Sequence, residues 1–260
     1  LAIKLIADPH GSYEGLAERV SGDDTLIVLG DIIDLVDWAD LSGILPDLVG
    51  REVFIAKLFN ALAEGDGAAR RLRDELISPH GGFFDELCSR VSEQYASFSE
   101  TLQEIGCRAY VIYGNGDIPE LLRPALNGEK RASLAEGKVT LEGSVFGFVS
   151  GAIYSPFEMP AEMGEEEFGE RLRELGKVDV LCTHIPPQVE EATMDVVAGR
   201  PVTGSSELLE YIHLHRPAFL YHGHVHQPVQ RELMIGDTRV INVGYYKRER
   251  YVHTHETGRP

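Results

Sequence analysis

Residues 25–34 read Thr-Leu-Ile-Val-Leu-Gly-Asp-Ile-Ile-Asp. Five aliphatic and β-branched residues, stopped by Gly30 and followed at once by Asp31, have the length and boundary of a strand running into a polar loop. The pattern recurs. Ala2–Ala7 runs into Asp8-Pro9-His10, and Ala109–Tyr113 into Gly114-Asn115-Gly116-Asp117. Val178–Cys182 runs into Thr183-His184, and Ala218–Tyr221 into His222-Gly223-His224-Val225-His226. Two hairpins are expected as well, Lys138–Glu142 with Val145–Ser150, and Val229–Ile235 with Arg239–Val243 around Gly236-Asp237.

Between the second and third runs the character changes. From about Trp38 to Gly106 the chain is dense in Ala, Leu, Glu and Arg. Its apolar residues fall at helical spacing, as in Phe84, Leu87, Val91, Tyr95, Phe98 and Leu102. Breaks at Gly65-Asp66-Gly67 and at Ser78–Gly82 predict two or three inserted helices. Another acidic helix is expected around Ala161–Leu175, and His253–Pro260 reads as a frayed tail. With no repeat or linker in view, the expectation is one α/β domain over residues 1–260, carrying a helical cap inserted at about 38–106.

Composition narrows the function classes. The chain of 260 residues has 42 acidic against 24 basic residues and a formal charge of −18. That surface repels phosphate backbones and disfavours a sequence-independent grip on long nucleic acid. Bound divalent cations can still invert the sign of one cleft. No run approaches 18 apolar residues, which argues against a membrane span, and no signal peptide is readable at the start. Cys88, Cys107 and Cys182 are odd in number, far apart and without a CxxC pair. A disulfide framework and a thiolate zinc site are therefore disfavoured, and a reducing, cytoplasmic setting is expected.

The residues after the strand-like runs carry the chemistry. Asp8, His10, Asp31, Asn115, His184, His224 and His226 each fall within three residues of the end of an apolar run. In open α/β sheets ligands bind beyond the carboxyl ends of the strands. Carboxylate, amide oxygen and imidazole together suit borderline divalent ions such as Mn, Fe, Zn or Ni. Each piece alone is weak. Asp-x-His can be a turn with an incidental histidine, GDIID a turn entering a helix, and GNGD an ordinary turn. The His-x-His of GHVH is stronger, because alternate residues of an extended segment point the same way. Seven such donors, each at a strand end, are hard to attribute to chance.

In this order the blocks DPH (8–10), GDIID (30–34), GNGD (114–117), THIPP (183–187) and GHVH (223–226) resemble the calcineurin-like metallophosphoesterases. That family's pattern is D-x-H, G-D-x-x-D, G-N-H-[DE], a lone His, and G-H-x-H. The resemblance spans Asp8 to His226 and implies an α/β fold, a two-sheet αββα sandwich. It also implies two divalent cations, manganese first, with Fe, Zn or Ni as alternatives. One cation would take Asp8, His10, Asp31 and His226. The other would take Asp31, Asn115, His184 and His224, with Asp31 shared and Asp31, Asn115 and His184 catalytic. The implied activity is hydrolysis of a small phosphate ester by a two-metal mechanism in which the cations activate a water. Asp34 and Asp117 would orient the ligands, with a solvated turn acid an equal reading for Asp117.

The resemblance has one notable gap. Where the family carries a histidine beside the leaving group, this chain has Gly116, and acid help of that kind is worth about 10²–10⁴ in rate. Family branches without that histidine mostly act on phosphodiesters or on good leaving groups, so diesters are slightly favoured. Leu35 and Tyr113 stand where Ser/Thr protein phosphatases carry arginines, which disfavours that activity. The alternatives are a phosphomonoesterase and a non-catalytic scaffold, the latter opposed by the complete donor set. A repair-type nuclease is opposed by the charge. His222 and His80 are secondary candidates for the site. His213, His215, His253 and His255 are expected at the surface, and Asn242-Val243-Gly244-Tyr245 is expected to be a supporting turn.

Overall fold

Alternation along the first strands decides how the layers form. In β1 (Ile3–Ile6) and β2 (Thr25–Leu29), Leu5, Ile27 and Leu29 face one core while Ile6, Leu26 and Val28 face another, as the two-residue period of a strand requires. Each strand therefore has a buried layer on both sides. The computed structural model describes residues 2–38, 40–127, 131–196 and 199–256.

Helices α1 (Ile44–Val49), α2 (Arg51–Glu64), α3 (Asp66–Ile77) and α4 (Phe84–Ile105) follow β2. Next come β3 (Arg108–Ile112), α5 (Pro119–Asn127), β4 (Ala132–Leu134), β5 (Gly137–Leu141) and β6 (Ser144–Val149). The short pair β7 (Ala152–Ile153) and β8 (Glu162–Met163) precedes α6 (Glu165–Leu175) and β9 (Val180–Thr183). After these lie α7 (Glu190–Thr193), the pair β10 (Met194–Asp195) and β11 (Arg200–Pro201), and α8 (Ser206–His215). The chain closes with β12 (Phe219–His222), β13 (Glu232–Ile235), β14 (Thr238–Asn242), α9 (Tyr246–Glu249) and β15 (His253–Thr254).

One sheet has the order β15-β1-β2-β3-β4, parallel except at β15. The other has the order β13-β14-β12-β9-β6-β5, with parallel inner strands and antiparallel edges. Leu5, Ile27, Ile112, Phe148, Cys182 and Tyr221 belong to the apolar layer between the sheets. Phe54, Leu72, Val91 and Phe98 of the inserted helices cover the outer face of the first sheet. Phe168 and Leu172 of α6 and Leu208 and Ile212 of α8 cover the second. The architecture is an αββα sandwich. Cys182, buried in the middle layer, has its thiol pushed above the ordinary range by desolvation, the inert state expected of a core cysteine.

Several boundaries differ from the sequence reading. The insertion holds four helices where two or three are expected, because α1 and α2 meet at Gly50, a glycine with φ of 87°. The helix expected from Ala161 begins at Glu165, since Glu162 and Met163 pair with β7. The expected frayed tail is in part a strand. Lys4 pairs with Thr254 and Leu5 with His253, and His255 is buried, its Nδ1 hydrogen-bonded to the Tyr221 hydroxyl (2.8 Å) and its ring edge-on to Phe146 and Phe219. An imidazole offers both an acceptor and an aromatic surface, so this polar-looking segment docks where a lysine could not. Residues 257–260 of that tail lie outside the described residues. No helix among the described residues is long and apolar enough to cross a membrane.

Candidate metal centre

The loops after β1, β2, β3, β9 and β12 are stitched together by their own backbones. Asp8 N donates to Gly30 O (3.1 Å), His10 N to Asp31 O (3.0 Å), and Gly223 N to His184 O (3.0 Å). Side chains tie the remaining loops. Asp8 Oδ2 accepts from His224 N at 3.0 Å, and Asp31 Oδ1 accepts from Gly116 N at 2.7 Å. All seven candidate donors thus meet at one end of the sandwich.

Aiming them there strains the backbone. Asp8, His10, Asp31 and His224 have φ of 54°, 41°, 49° and 66°, in the left-handed region that non-glycine residues avoid at a cost of about 1–3 kcal/mol each. The loops also approach unusually closely. A Cβ on Gly114 would overlap Asp31 Oδ1 and lie 2.6 Å from His184 Cε1, and one on Gly223 would lie 2.6 Å from Asp8 Oδ2. Only glycine lets these backbones pass so near the donors.

One atom of each of Asp8, His10, Asp31 and His226 lies within 4.8 Å of the others. Beside them, His184 Nε2 lies 3.5 Å from Asp31 Oδ1 and 3.0 Å from Asn115 Oδ1, and its ring meets that of His224 edge-on at 5.0 Å. Asp31 touches both groups.

The donor chemistry fits divalent cations. His184 Nδ1–H donates to Leu29 O at 2.7 Å, so a neutral ring presents a lone pair at Nε2. Burial lowers this histidine to about 4, which keeps it neutral. Its lone pair then faces Asn115 Oδ1 and Asp31 Oδ1, an arrangement that a cation, or a proton on Asp31, would satisfy. Asp8 Oδ1, His10 Nδ1 and Asp34 Oδ1 are buried without a hydrogen-bond partner, an expensive state unless a cation or proton offsets it. Desolvation also lowers His10 and His224 well below the usual imidazole range and His226 to about 4. Neutral imidazole is the ligating form.

The supporting residues divide differently from expectation. Asp117 is fully buried and is no solvated turn acid. Its carboxylate accepts Ile32 N (3.0 Å), Gly114 N (2.9 Å) and the Tyr95 hydroxyl (3.0 Å), so it orients two loops and no imidazole. Tyr95 and Gln94 come from α4, and Gln94 Oε1 accepts Asp34 N at 2.7 Å. The inserted helices therefore brace the site loops. Asp34 Oδ1 stands 3.9 Å from His10 Nδ1. His222 is buried with Nδ1 3.0 Å from Gly223 O, outside the four-residue cluster, and His80 is exposed in the turn between α3 and α4. His213 is exposed.

Sequence reasoning missed Asp37 and Lys247, and gave Tyr245 only a place in a supporting turn. Tyr245 stacks on His226 with ring centroids 3.9 Å apart, its hydroxyl donates to Asp37 Oδ2 (2.9 Å), and Lys247 Nζ reaches both Asp34 and Asp37 at 2.9 Å. Asn242 does support a turn, donating to Val225 O (2.8 Å) and accepting Gly244 N (2.8 Å).

Stability of the metal-free protein should reveal these buried groups. Desolvation lifts Asp31 to about 7. Desolvation, then the neighbouring Asp31 charge, lifts Asp117 to about 7 and Asp8 well above the carboxylate range. Unfolded, they titrate near 4. The folded chain thus keeps protons that the unfolded chain has lost, and this contribution drains away as pH rises through about 7. The histidines act oppositely. Between about 4 and 6.5 the unfolded chain takes up protons that the folded chain refuses at His10, His184, His222, His224 and His226, which outnumber the three carboxylates, so net stability rises with pH there. Melting temperature of the stripped protein should peak near pH 6.5, and Mn²⁺ should raise it more at pH 8 than at pH 6. A stripped protein whose melting temperature climbs steadily to pH 8 would contradict this.

No protein-family model and no curated protein matches the sequence. Likeness is found in the path of the chain. One solved crystal structure superposes with a TM-score of 0.62 at 15% identity, over 98% of this chain and 98% of its own. The protein TT1561 of Thermus thermophilus superposes with a TM-score of 0.56 at 15% identity, over 98% of this chain and 97% of its own. The fold is what they share. A candidate 5'-nucleotidase from Staphylococcus aureus, solved in complex with alpha-ketoglutarate, aligns with 94% of this chain and 48% of its own at 15% identity, but its TM-score of 0.43 is too low to carry any inference.

Proposed function

We propose that the protein is a metal-dependent phosphoesterase of the calcineurin-like type, acting on a small phosphate ester, with diesters slightly favoured over monoesters. The observation that carries this reading is the convergence of Asp8, His10, Asp31 and His226, with His184 and Asn115 beside them, in a buried cluster where Asp8 Oδ1 and His10 Nδ1 have no hydrogen-bond partner. Asp8, His10, Asp31 and His226 would hold one divalent cation, and Asp31, Asn115, His184 and His224 a second, Mn²⁺ being the best match to the mixed donors. Such cations supply Lewis-acid charge that activates water and neutralises phosphoryl oxygens. Asp31 serves both groups. Asn115 and His184 line the approach to it, and Gly116 N fixes the Asp31 carboxylate.

A cleft that reaches the site loops at Gly11 and Asp34, though none of the seven donors lines it, would give room for a small substrate. It measures about 570 Å³ and is lined also by Asp47, Arg90 and Glu93 from the inserted helices. That is the size of a small-molecule pocket, and the insertion would set specificity. A substrate without a long nucleic-acid backbone fits the charge of −18. A panel of mono- and diesters, assayed with Mn²⁺, tests the reading. Turnover of an activated aryl phosphodiester is expected, and no turnover with any divalent ion would sink it.

Gly116 offers a sharper test. Its φ lies outside the left-handed region, so the backbone strain a glycine turn suggests is absent. The obstacle is steric and mild, since a Cβ there would lie 3.2 Å from Asp31 Oδ1. An imidazole placed there stands over the site and can protonate a leaving group. Alkoxides need that proton and nitrophenolate hardly does. Gly116→His should raise the rate on alkyl phosphate esters more than on nitrophenyl esters. Unchanged selectivity in a folded, metallated variant would show that the missing imidazole does not set the preference.

A further inference from the structure

The segment Tyr245–Lys247 has no place in the donor set, yet it is built into it. Tyr246 N donates to Ala7 O (3.0 Å) and Lys247 N to Asp8 O (3.2 Å), so its backbone grips the loop that carries Asp8 and His10. Tyr245 lies nearly parallel to His226, inclined by 12° at 3.9 Å between centroids, and meets His10 edge-on at 5.7 Å and 86°. One phenol ring therefore walls both imidazoles of the four-residue cluster. Its hydroxyl donates to Asp37 Oδ2 at 2.9 Å, and Asp37 and Tyr245 are both buried.

Lys247 joins the two halves of this wall. Its ammonium donates to Asp37 Oδ2 and to Asp34 Oδ2, each at 2.9 Å. Without it, the only other cation beside the two carboxylates among the described residues would be Arg248, 4.0 Å from Asp37 Oδ2, and repulsion would push Asp34 from its present position. The free oxygen of Asp34 faces His10 Nδ1 at 3.9 Å, about 1 Å beyond hydrogen-bond length. One chain of contacts runs Lys247–Asp34–His10, and another runs Lys247–Asp37–Tyr245–His226.

We propose that Tyr245 and Lys247 are positioning residues for the metal centre: the Tyr245 ring fixes the plane of His226, and Lys247 holds Asp34 and Asp37 where they steer His10 and Tyr245. Outer groups of this kind typically govern metal affinity by 10–100-fold. The inference rests on the metal-dependent reading above and extends it to residues outside the ligand set.

The experiment uses full-length, metal-stripped protein titrated with Co²⁺, followed by calorimetry and by the visible absorption of the bound ion. Tyr245→Leu removes the stacked ring, and Tyr245→Phe keeps it. Lys247→Met removes the ammonium, and Lys247→Arg restores a cation. We expect Tyr245→Leu and Lys247→Met to weaken Co²⁺ binding 10–100-fold and to shift the absorption bands, with Lys247→Arg recovering most of both and Tyr245→Phe, which keeps the ring but loses its bond to Asp37, recovering part. A purely structural role would lower the melting temperature and leave the spectrum of the folded protein unmoved. Wild-type affinity and spectrum in Lys247→Met and Tyr245→Leu would overturn the proposal. Should Tyr245→Leu not fold, Lys247→Met decides it, because that side chain lies partly at the surface. A wild type that binds no Co²⁺ would instead overturn the metal-dependent reading, and this inference with it.

Discussion

Asp31→Asn is expected to lower phosphoesterase turnover by at least about 10³-fold, since deleting a single neutral donor from an active site already costs about 10²–10³. The substitution keeps the shape of the side chain and an oxygen for Gly116 N, which now donates to Asp31 Oδ1 at 2.7 Å. What it removes is the negative charge next to both His10, at 3.7 Å, and His184, at 3.5 Å. Both cations should therefore be lost or held far more weakly. His226→Ala removes one neutral donor from one group, and should leave one equivalent of metal bound. Because burial disfavours the ionised carboxylate, metal-free Asp31→Asn should melt no lower than metal-free wild type. That comparison separates loss of metal from loss of fold. Full occupancy and near-normal turnover in Asp31→Asn would remove Asp31 from its shared position.

Gly114→Ala is expected to be nearly as damaging although it replaces no ligand. The added methyl would overlap Asp31 Oδ1 and stand 2.6 Å from His184 Cε1 and 2.7 Å from Asp31 N. Two of the three are rigid, so the loops must separate. Overpacking of this sort costs about 1–3 kcal/mol, and the displacement falls on the residues that would share the cations. Turnover should drop by about 10²-fold, in line with the loss that a roughly 1 Å misplacement causes. Gly116→Ala is the control, with its nearest contact at 3.2 Å, and should stay close to wild type in kinetics and melting temperature. Equal behaviour of the two variants would mean that the close approach at Gly114 is incidental.

These two predictions draw on different depths of legibility. The donor set was readable because each donor follows a strand closely. Thr25–Leu29 is an unbroken apolar run because both its faces are buried, and the polar residue after such a run must lie at the sheet's end. The αββα sandwich came from the family that the motif blocks resemble, and the same runs agree with it. The glycine contacts were not readable, since Gly114 is defined by atoms from the loops after β2 and β9 that are distant in sequence. Nor were the left-handed φ values of Asp8, His10 and Asp31, which depend on how the loops cross. Tyr245 and Lys247 lie about 210 residues from the carboxylates they touch, and nothing local marks them. Helix α5 was hidden by Pro124 in its interior, a residue that normally ends a helix. Strand β15 was hidden by its brevity, two residues docked by the ring of His255.

The central claim is that these buried acceptors are arranged for divalent cations. Calorimetric titration of Mn²⁺ into the stripped protein at neutral pH tests it most directly, with metal content of the dialysed sample as the readout of stoichiometry. Binding of two equivalents in the wild type, one in His226→Ala and none in Asp31→Ala is the expected result. A folded wild type that binds no Mn²⁺, Fe²⁺, Zn²⁺ or Ni²⁺ would contradict it, and the convergence of Asp8, His10, Asp31 and His226 would then need another cause.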